Sequence, residues 1–150
     1  MNQTKDSLQV FLFDATPVRG EIVRIEKTWK TILQHQDYPL AVKKLLGELL
    51  AAGALLSATL KFNGSLIIQA QGQGPIKLLV VECNEQLEMR ATAKLNPHID
   101  FSQLTDTADL AELLNPEFKG KAAILNIPSI GIMDAAMVVE AKGIYKYPDK

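Results

Sequence analysis

Cysteine is nearly missing from this sequence, because Cys83 is the only one in 150 residues. A single cysteine excludes an internal disulfide, and with only two histidines the chain lacks the closely spaced ligand set of a structural zinc site. We therefore expect no metal or other cofactor in this chain. The absence of disulfides is typical of a reducing compartment, and the N-terminus does not read as a secretion signal, so we predict a cytoplasmic location.

Long apolar runs and an excess of charge of either sign are also missing. The longest uncharged apolar stretch, residues 49–60, is shorter than the roughly 18 residues that a membrane-spanning helix needs. The 16 basic and 17 acidic residues are mixed along the chain. Since nucleic-acid binding usually shows as a basic stripe, we expect neither nucleic acid nor a membrane as a partner.

Glycine is concentrated in one short stretch, Gln71-Gly72-Gln73-Gly74-Pro75. A phosphate-binding loop leads from a strand into a helix N-terminus, where free N–H groups meet the anion. The residues that follow here, IKLLVVE, are β-branched and alternate, so they predict another strand. We therefore interpret this stretch as a corner between two strands and not as a nucleotide site.

Side chains for covalent catalysis are present but are not arranged in a known motif. Ser57 lies within ALLSATL, without the glycines of a nucleophile elbow. Cys83 could pair with His35 or His98, although nothing beyond residue type supports such a pair. The residues alone thus favour a binding or scaffold role over an enzyme, and a small cysteine-dependent enzyme remains an alternative.

The hydrophobic periodicity predicts an α+β domain with a mostly antiparallel sheet and helices packed on it. The second long helix is rich in small residues, which let a helix lie close to a sheet. The predicted elements are, in order, strands 8–13 and 18–25, helices 26–36 and 40–60, strands 65–71, 76–83 and 86–95, a mostly helical segment 100–114, and strands 121–127 and 135–142.

Four stretches of the chain together resemble the heat shock protein 33 family of redox-regulated chaperones. They are VRGEIV at 18–23, DYPLAVKKLLGELLAAGALLSATLKFNG at 37–64, QGQGPIKLLVVE at 71–82 and MRATAKL at 89–95, with Ala91 where the family usually has glycine. The resemblance covers about residues 8–127 and implies the fold of that family's N-terminal domain. It also implies a non-enzymatic function: members are cytosolic holdases that bind unfolded or oxidatively damaged proteins through exposed apolar surface, without ATP.

Client-binding residues of such a domain must be apolar and accessible. We take as candidates Phe11 and Phe13 on the first predicted strand, Ile67 on the third and Leu79 on the fourth. Strand alternation separates the two faces of the sheet but leaves open which of them is covered.

Two departures from the family pattern concern its C-terminal part. Family members bind zinc through a C-x-C…C-x-x-C switch, and none of those cysteines occurs before Lys150. The helix that follows the family's last strand of this domain is also not recognisable in 133–150. We therefore interpret residues 1–150 as one N-terminal client-binding domain that is truncated and lacks the zinc redox switch. The family's homodimer uses these later parts, so dimerisation stays open.

An alternative of a different class is a non-functional truncated fragment that associates with itself. A sheet edge left open by a missing terminal region would be a template for aggregation.

Overall fold

The computed structural model describes residues 5–59, 64–114, 121–128 and 135–139, and it has the predicted α+β architecture. Two helices follow the first two strands, and the other strands come later in the chain. The elements are β1 (Ser7–Leu12), β2 (Arg19–Arg24), α1 (Lys27–His35), α2 (Leu40–Thr59), β3 (Gly64–Gln71), β4 (Ile76–Asn84), β5 (Met89–Leu95), a 3-10 turn (Phe101–Gln103), α3 (Leu110–Leu114), β6 (Lys121–Pro128) and β7 (Ala135–Val139).

The strands form two antiparallel sheets. β1 and β2 make a separate hairpin, and the other five strands lie in the order β5-β4-β3-β6-β7. Helix α2 crosses one face of β3, β4 and β5 and also contacts β2. The mostly antiparallel sheet with helices on it is therefore confirmed, and the hairpin is attached to this two-layer body at its base.

The core lies between α2 and the covered face of the sheet. Alternate residues of β3 and β4 are buried there, including Leu66, Ile68, Leu79 and Val81. Helix α1 closes one side through Ile32 and Trp29. On α2 itself the buried residues are Ala41, Val42, Leu45, Leu46, Leu50, Gly53, Ala54 and Ser57.

Small residues in α2 allow a close approach to the sheet, as the sequence predicts. A Cβ added at Gly53 would lie 3.2 Å from a methyl carbon of Val81 and 3.7 Å from the Ile68 Cδ1. The helix backbone therefore rests almost directly on the side chains of β3 and β4. Among the described residues, no helix is both long and apolar enough to cross a membrane, although α2 has 20 residues.

The glycine-rich stretch is a corner between β3 and β4. Gly72 donates its N–H to the Lys77 carbonyl at 3.1 Å, as in a hairpin connection. A Cβ at Gly72 would overlap the main chain of Leu114, so close packing requires the glycine.

The predicted strand 86–95 begins later than expected, at Met89. The side-chain oxygen of Asn84 accepts hydrogen bonds from the N–H groups of Gln86 and Glu88, at 3.0 and 2.8 Å. These bonds stabilise a turn, and Leu87 adopts a positive φ of 60° there. Leu87 is consequently exposed.

The prediction that 100–114 is mostly helical is confirmed only in part, since the helical residues form two short, separate pieces. Only the 3-10 turn and the five-residue α3 are helical, because two separate caps divide the segment. Asp100 accepts the Ser102 N–H, whereas Asp109 and Glu112 accept each other's N–H groups in a capping box that starts α3. Parts of other predicted elements, residue 60 of the second helix and residues 140–142 of the last strand, lie outside the described residues.

Leu46 provides a test of this core. It is fully buried, so we expect Leu46→Ala to lower the free energy of unfolding by about 2–5 kcal/mol. Leu40→Ala, at the exposed start of the same helix, serves as the matched control and should change it by roughly 0.5 kcal/mol. Urea denaturation measures both values, and equal losses would contradict the packing described here.

Candidate functional site

The β1–β2 hairpin has one face directed away from the body of the fold. Its register pairs Gln9 with Ile22 and Phe11 with Gly20, and the Phe13 N–H donates to the Val18 carbonyl at 3.1 Å. Because directly opposed residues share a face, four apolar side chains lie together. We call this set the outer hairpin face: Phe11, Phe13, Val18 and Ile22.

The two aromatic rings of the outer hairpin face are ordered by local contacts. The Phe11 and Phe13 ring centroids are 5.5 Å apart, with an edge-to-face angle of 71°. The Phe11 ring also lies over Gly20, where a Cβ would overlap it. The glycine thus leaves space for the ring, which covers backbone that a glycine in a strand otherwise leaves bare.

The hairpin is the most apolar exposed part of the described chain. Phe13 is 55% exposed and Leu12, on the opposite face, is 74% exposed. Val10, Phe11, Val18 and Ile22 are exposed as well. Six large apolar side chains on one short hairpin form a concentration of the kind that marks interaction surfaces on monomeric domains.

Asp6 fixes the base of this hairpin to helix α1. Its carboxylate accepts the N–H groups of Glu26, Lys27 and Thr28 at 2.6, 2.7 and 2.9 Å. Burial alone would raise the pKa of Asp6, but hydrogen bonds from Thr28, Glu26 and Lys27 hold it below the ordinary value. A residue just before β1 therefore caps a helix some twenty positions later.

A second attachment joins the hairpin to α2. Glu21 on β2 pairs with Arg19 and accepts a hydrogen bond from the Thr59 hydroxyl at 3.2 Å. These contacts hold Glu21, on the inner face of the hairpin, at the end of α2, whereas Val10 and Leu12 on the same face and the whole outer hairpin face are left free of them.

The other two candidate residues lie on opposite faces of the large sheet. Ile67 on β3 is half-buried on the face away from α2, with Leu78 and Val80 of β4. The same face carries the ion pair between Glu82 and Arg90, so it is less uniformly apolar than the hairpin.

Leu79 does not belong to an accessible surface. It faces α2, is 0% exposed and pairs across the sheet with Ala70 and Ala93, which are also buried. Contact between Leu79 and a client would require the core to open, so the structure brings Phe11 and Phe13 together and separates them from Ile67 and Leu79.

The groups considered for covalent chemistry do not form an accessible site. Cys83 is fully buried, and its burial raises the pKa of the thiol, with a hydrogen bond from Ser57 opposing the shift. A protonated, inaccessible thiol is a poor nucleophile. Within the described residues no group of three or more His, Cys, Asp or Glu side chains could hold a metal ion.

Sequence analysis missed Val18 and Ile22, which complete the outer hairpin face. The signal that could have found them is parity across a hairpin: once β1 and β2 are paired, residues opposite Phe11 and Phe13 share their face. This inference requires the length of the turn between β1 and β2, because a shift of the pairing register by one residue would move Ile22 to the other face.

These features define a class of protein: a two-layer α+β domain whose chief surface feature is an exposed apolar hairpin. A family model described as "Hsp33 protein" matches residues 6–136. The chain therefore belongs to the Hsp33 family, as its sequence motifs indicate.

Individual relatives agree with this assignment. The 33 kDa chaperonin of Methylobacillus flagellatus is 46% identical over 123 residues, which are 79% of this chain and 42% of the relative. That of Chromobacterium violaceum is 52% identical over 99 residues, which are 66% of this chain and 34% of the relative. The chain thus spans about two-fifths or less of the length of these relatives.

A solved structure supports the fold. The crystal structure of the 33 kDa chaperonin (heat shock protein 33 homolog) from Thermotoga maritima superposes with a TM-score of 0.64 at 18% identity. The match covers 83% of this chain and 42% of that one.

Asp6 provides a test of the hairpin's attachment. Removing the cap by Asp6→Ala should lower the free energy of unfolding by about 1–2 kcal/mol at pH 7. Because the pKa of Asp6 is lowered in the folded state, its contribution is present above the ordinary carboxyl pKa of about 4 and is lost as pH falls through the folded value. Urea titrations from pH 7 to pH 3 should therefore show that the difference in the free energy of unfolding between wild type and Asp6→Ala becomes smaller.

Asp14→Ala, in the exposed hairpin turn, is the matched control. If the difference in the free energy of unfolding between wild type and Asp6→Ala stayed constant down to pH 3, the Asp6 carboxylate would not be the group that stabilises the hairpin's attachment.

Proposed function

We propose that this domain is an ATP-independent holdase that binds unfolded or oxidatively damaged polypeptides through the outer hairpin face. The observation that carries the proposal is the group of four exposed large apolar residues that share the outer hairpin face, with Val10 and Leu12 exposed on the other face of the same hairpin. Membership of a family whose relatives are named chaperonins supports a chaperone role. The whole protein's activity is part of the proposal, since the chain spans only part of those relatives.

The physical basis is non-directional attraction between apolar surfaces. Unfolded chains expose side chains that a folded protein buries, and these gain about 25 cal/mol per Å² of apolar area removed from water. Phe11 and Phe13 offer flat rings, whereas Val18 and Ile22 fill the space beside them. Such a surface does not require one sequence, which suits a protein that binds many clients.

The proposed binding consumes no nucleotide and makes no covalent bond. The glycine-rich corner at 71–75 leads into strand β4, and the thiol of Cys83 is buried. Both features support a binding role over an enzymatic one. A free buried cysteine also suits the reducing cytoplasm, which we propose as the location.

A self-associating fragment is the second candidate, favoured by the same exposed hairpin and by the edges of the five-stranded sheet. Association between copies would bury the surface that clients need. Sedimentation across a range of protein concentrations separates the two, because a holdase must stay dispersed where it suppresses aggregation. Whether a family-type homodimer forms would be determined by the same measurement.

Removing apolar area from the outer hairpin face tests the proposal. Phe13→Ser combined with Ile22→Ser should raise the concentration needed to suppress aggregation of a heat-denatured client roughly tenfold, since about 1.4 kcal/mol of apolar contact would be lost. Leu40→Ser combined with Ile99→Ser removes exposed apolar residues elsewhere and serves as the matched control. Light scattering measures suppression. Equal effects of the two double variants, or no suppression by wild type, would contradict the proposal.

We also propose that the holdase activity of these residues lacks redox control. The cysteines of the family's zinc switch are not among residues 1–150, and Cys83 is buried with a raised thiol pKa. Treatment with hydrogen peroxide should not change the suppression of client aggregation, and Cys83 should still react with a thiol reagent when the treated protein is unfolded. Activation by peroxide would contradict the proposal. The same activation in Cys83→Ser would show that the switch is not this thiol.

A further inference from the structure

Strand β5 forms one edge of the five-stranded sheet, and its pairing reveals which main-chain groups face outward. The Asn84 N–H donates to the Glu88 carbonyl at 3.0 Å, so these opposed residues form a hydrogen-bonded pair. Because bonded and non-bonded pairs alternate along an antiparallel ladder, Arg90 and Thr92 also bond to β4. Three residues, Met89, Ala91 and Ala93, therefore direct their N–H and carbonyl groups away from the sheet.

A second contact confirms this alternation independently. The Ala93 N–H donates to the Tyr38 hydroxyl oxygen at 3.2 Å, and Tyr38 lies outside the sheet, between α1 and α2. Tyr38 thus closes the edge at Ala93. No hydrogen bond joins the outward groups of Met89 and Ala91 to any residue that the structure describes.

A groove runs along this open part of the edge. It has a volume of about 440 Å³ and lies between α1 and residues 87–91, with Asp6 at one end. From α1 it is lined by Lys27, Thr28, Thr31, Ile32 and His35. Helix and strand edge thus form two walls, with polar main chain on one side and mixed side chains on the other.

The groove is lined by charges of both signs, and one of its cations has no ion-pair partner in the part of the chain that the structure describes. Arg90 pairs with Glu82, Glu88 accepts a hydrogen bond from the Asn84 amide, and Asp6 is occupied by the end of α1. Lys27 has no ion-pair partner among the described residues. Lys27 is therefore the cation with which an acidic side chain of a bound segment would pair, in a groove whose lining carries charges of both signs.

We propose that this edge binds an extended polypeptide segment as an added β-strand alongside residues 89–91, with an acidic side chain of the segment near Lys27. The occupant is a segment of an unfolded client, so the inference rests on the proposed function and deepens it. Strand addition uses main-chain hydrogen bonds that any sequence can make, and alternate side chains of the added strand enter the groove.

The edge is short and carries charge, which limits pairing between copies. Arg90 and Lys94 project from β5 on the face away from α2, and Tyr38 closes one end. Short, charged edges are the usual protection of natural sheets against open-ended association. The same features leave room for one extended segment of a few residues.

Proline at Ala91 tests the proposal. Ala91→Pro removes an outward N–H without removing a bond to β4, and proline is tolerated on edge strands. Ala91→Val keeps the N–H and is the matched control. The probe is a blocked eight-residue peptide of alternating valine and glutamate, titrated into the full chain. Ala91→Pro should bind it at least roughly tenfold more weakly than Ala91→Val, a difference of about 1.4 kcal/mol.

Amide hydrogen exchange in the unaltered chain gives a readout that does not depend on the folding of a variant. The amides of Met89 and Ala91 should exchange fast alone and slowly with the peptide, whereas those of Arg90 and Thr92 should be slow in both cases. An alternately N-methylated peptide, which cannot form the added ladder, should give no protection.

Equal binding by the two Ala91 variants, or unchanged exchange at Met89 and Ala91, would overturn the proposal. If the Met89 and Ala91 amides became protected from exchange as the protein concentration rose, without peptide, the edge would pair with a second copy of the chain. That result would also overturn the proposal. The Phe13→Ser and Ile22→Ser double variant separates this inference from the proposed function. It should keep the peptide-dependent protection even if suppression of client aggregation is lost.

Discussion

The close contact between helix α2 and one face of β3, β4 and β5 is the constraint on which the rest of the structure depends. Gly53 brings the helix backbone to within van der Waals distance of Val81, and the leucines on either side fill the space between the layers. Since this contact buries only one face of the sheet, the opposite face and the β1–β2 hairpin lie outside it. The surfaces on which the proposed functions rest are therefore a consequence of how the core is built.

The base of the hairpin is attached by polar contacts together with partial burial of Leu8 and Val23 on its inner face and of Ile25 just after β2. Asp6 caps α1, and Glu21 is held by Arg19 and Thr59, so the base of the hairpin has a defined position. A two-stranded hairpin is at best marginally stable alone. Because the attachment lies at the base and on the inner side, the apolar side chains of the outer hairpin face are not used by the fold, which is the condition that a client-binding surface must meet.

Much of this fold could be predicted from local pattern, and the failures have identifiable physical causes. The small residues of α2 predicted its close approach, and the glycine-rich stretch predicted a corner. The late start of β5 and the broken helix at 100–114 depend on side-chain caps from Asn84, Asp100 and Asp109, which hydrophobic periodicity does not register. For the candidate site, parity grouped Phe11 with Phe13 but could not tell that Leu79 faces α2, because both faces of β4 are apolar.

The two surfaces differ in the forces that they offer. The outer hairpin face attracts apolar side chains without regard to direction, whereas the β5 edge offers donors and acceptors at fixed positions on Met89 and Ala91. An unfolded polypeptide exposes both kinds of group at once, since its apolar side chains and its main-chain amides are equally deprived of native partners. The hairpin base, α1 and the start of β5 line one shared pocket. Its lining residues include Leu8, Val23, Thr28 and Met89. A client segment paired at the edge would thus have its neighbouring residues near the base of the hairpin, from which the outer hairpin face extends, and the two weak interactions would then act on the same chain.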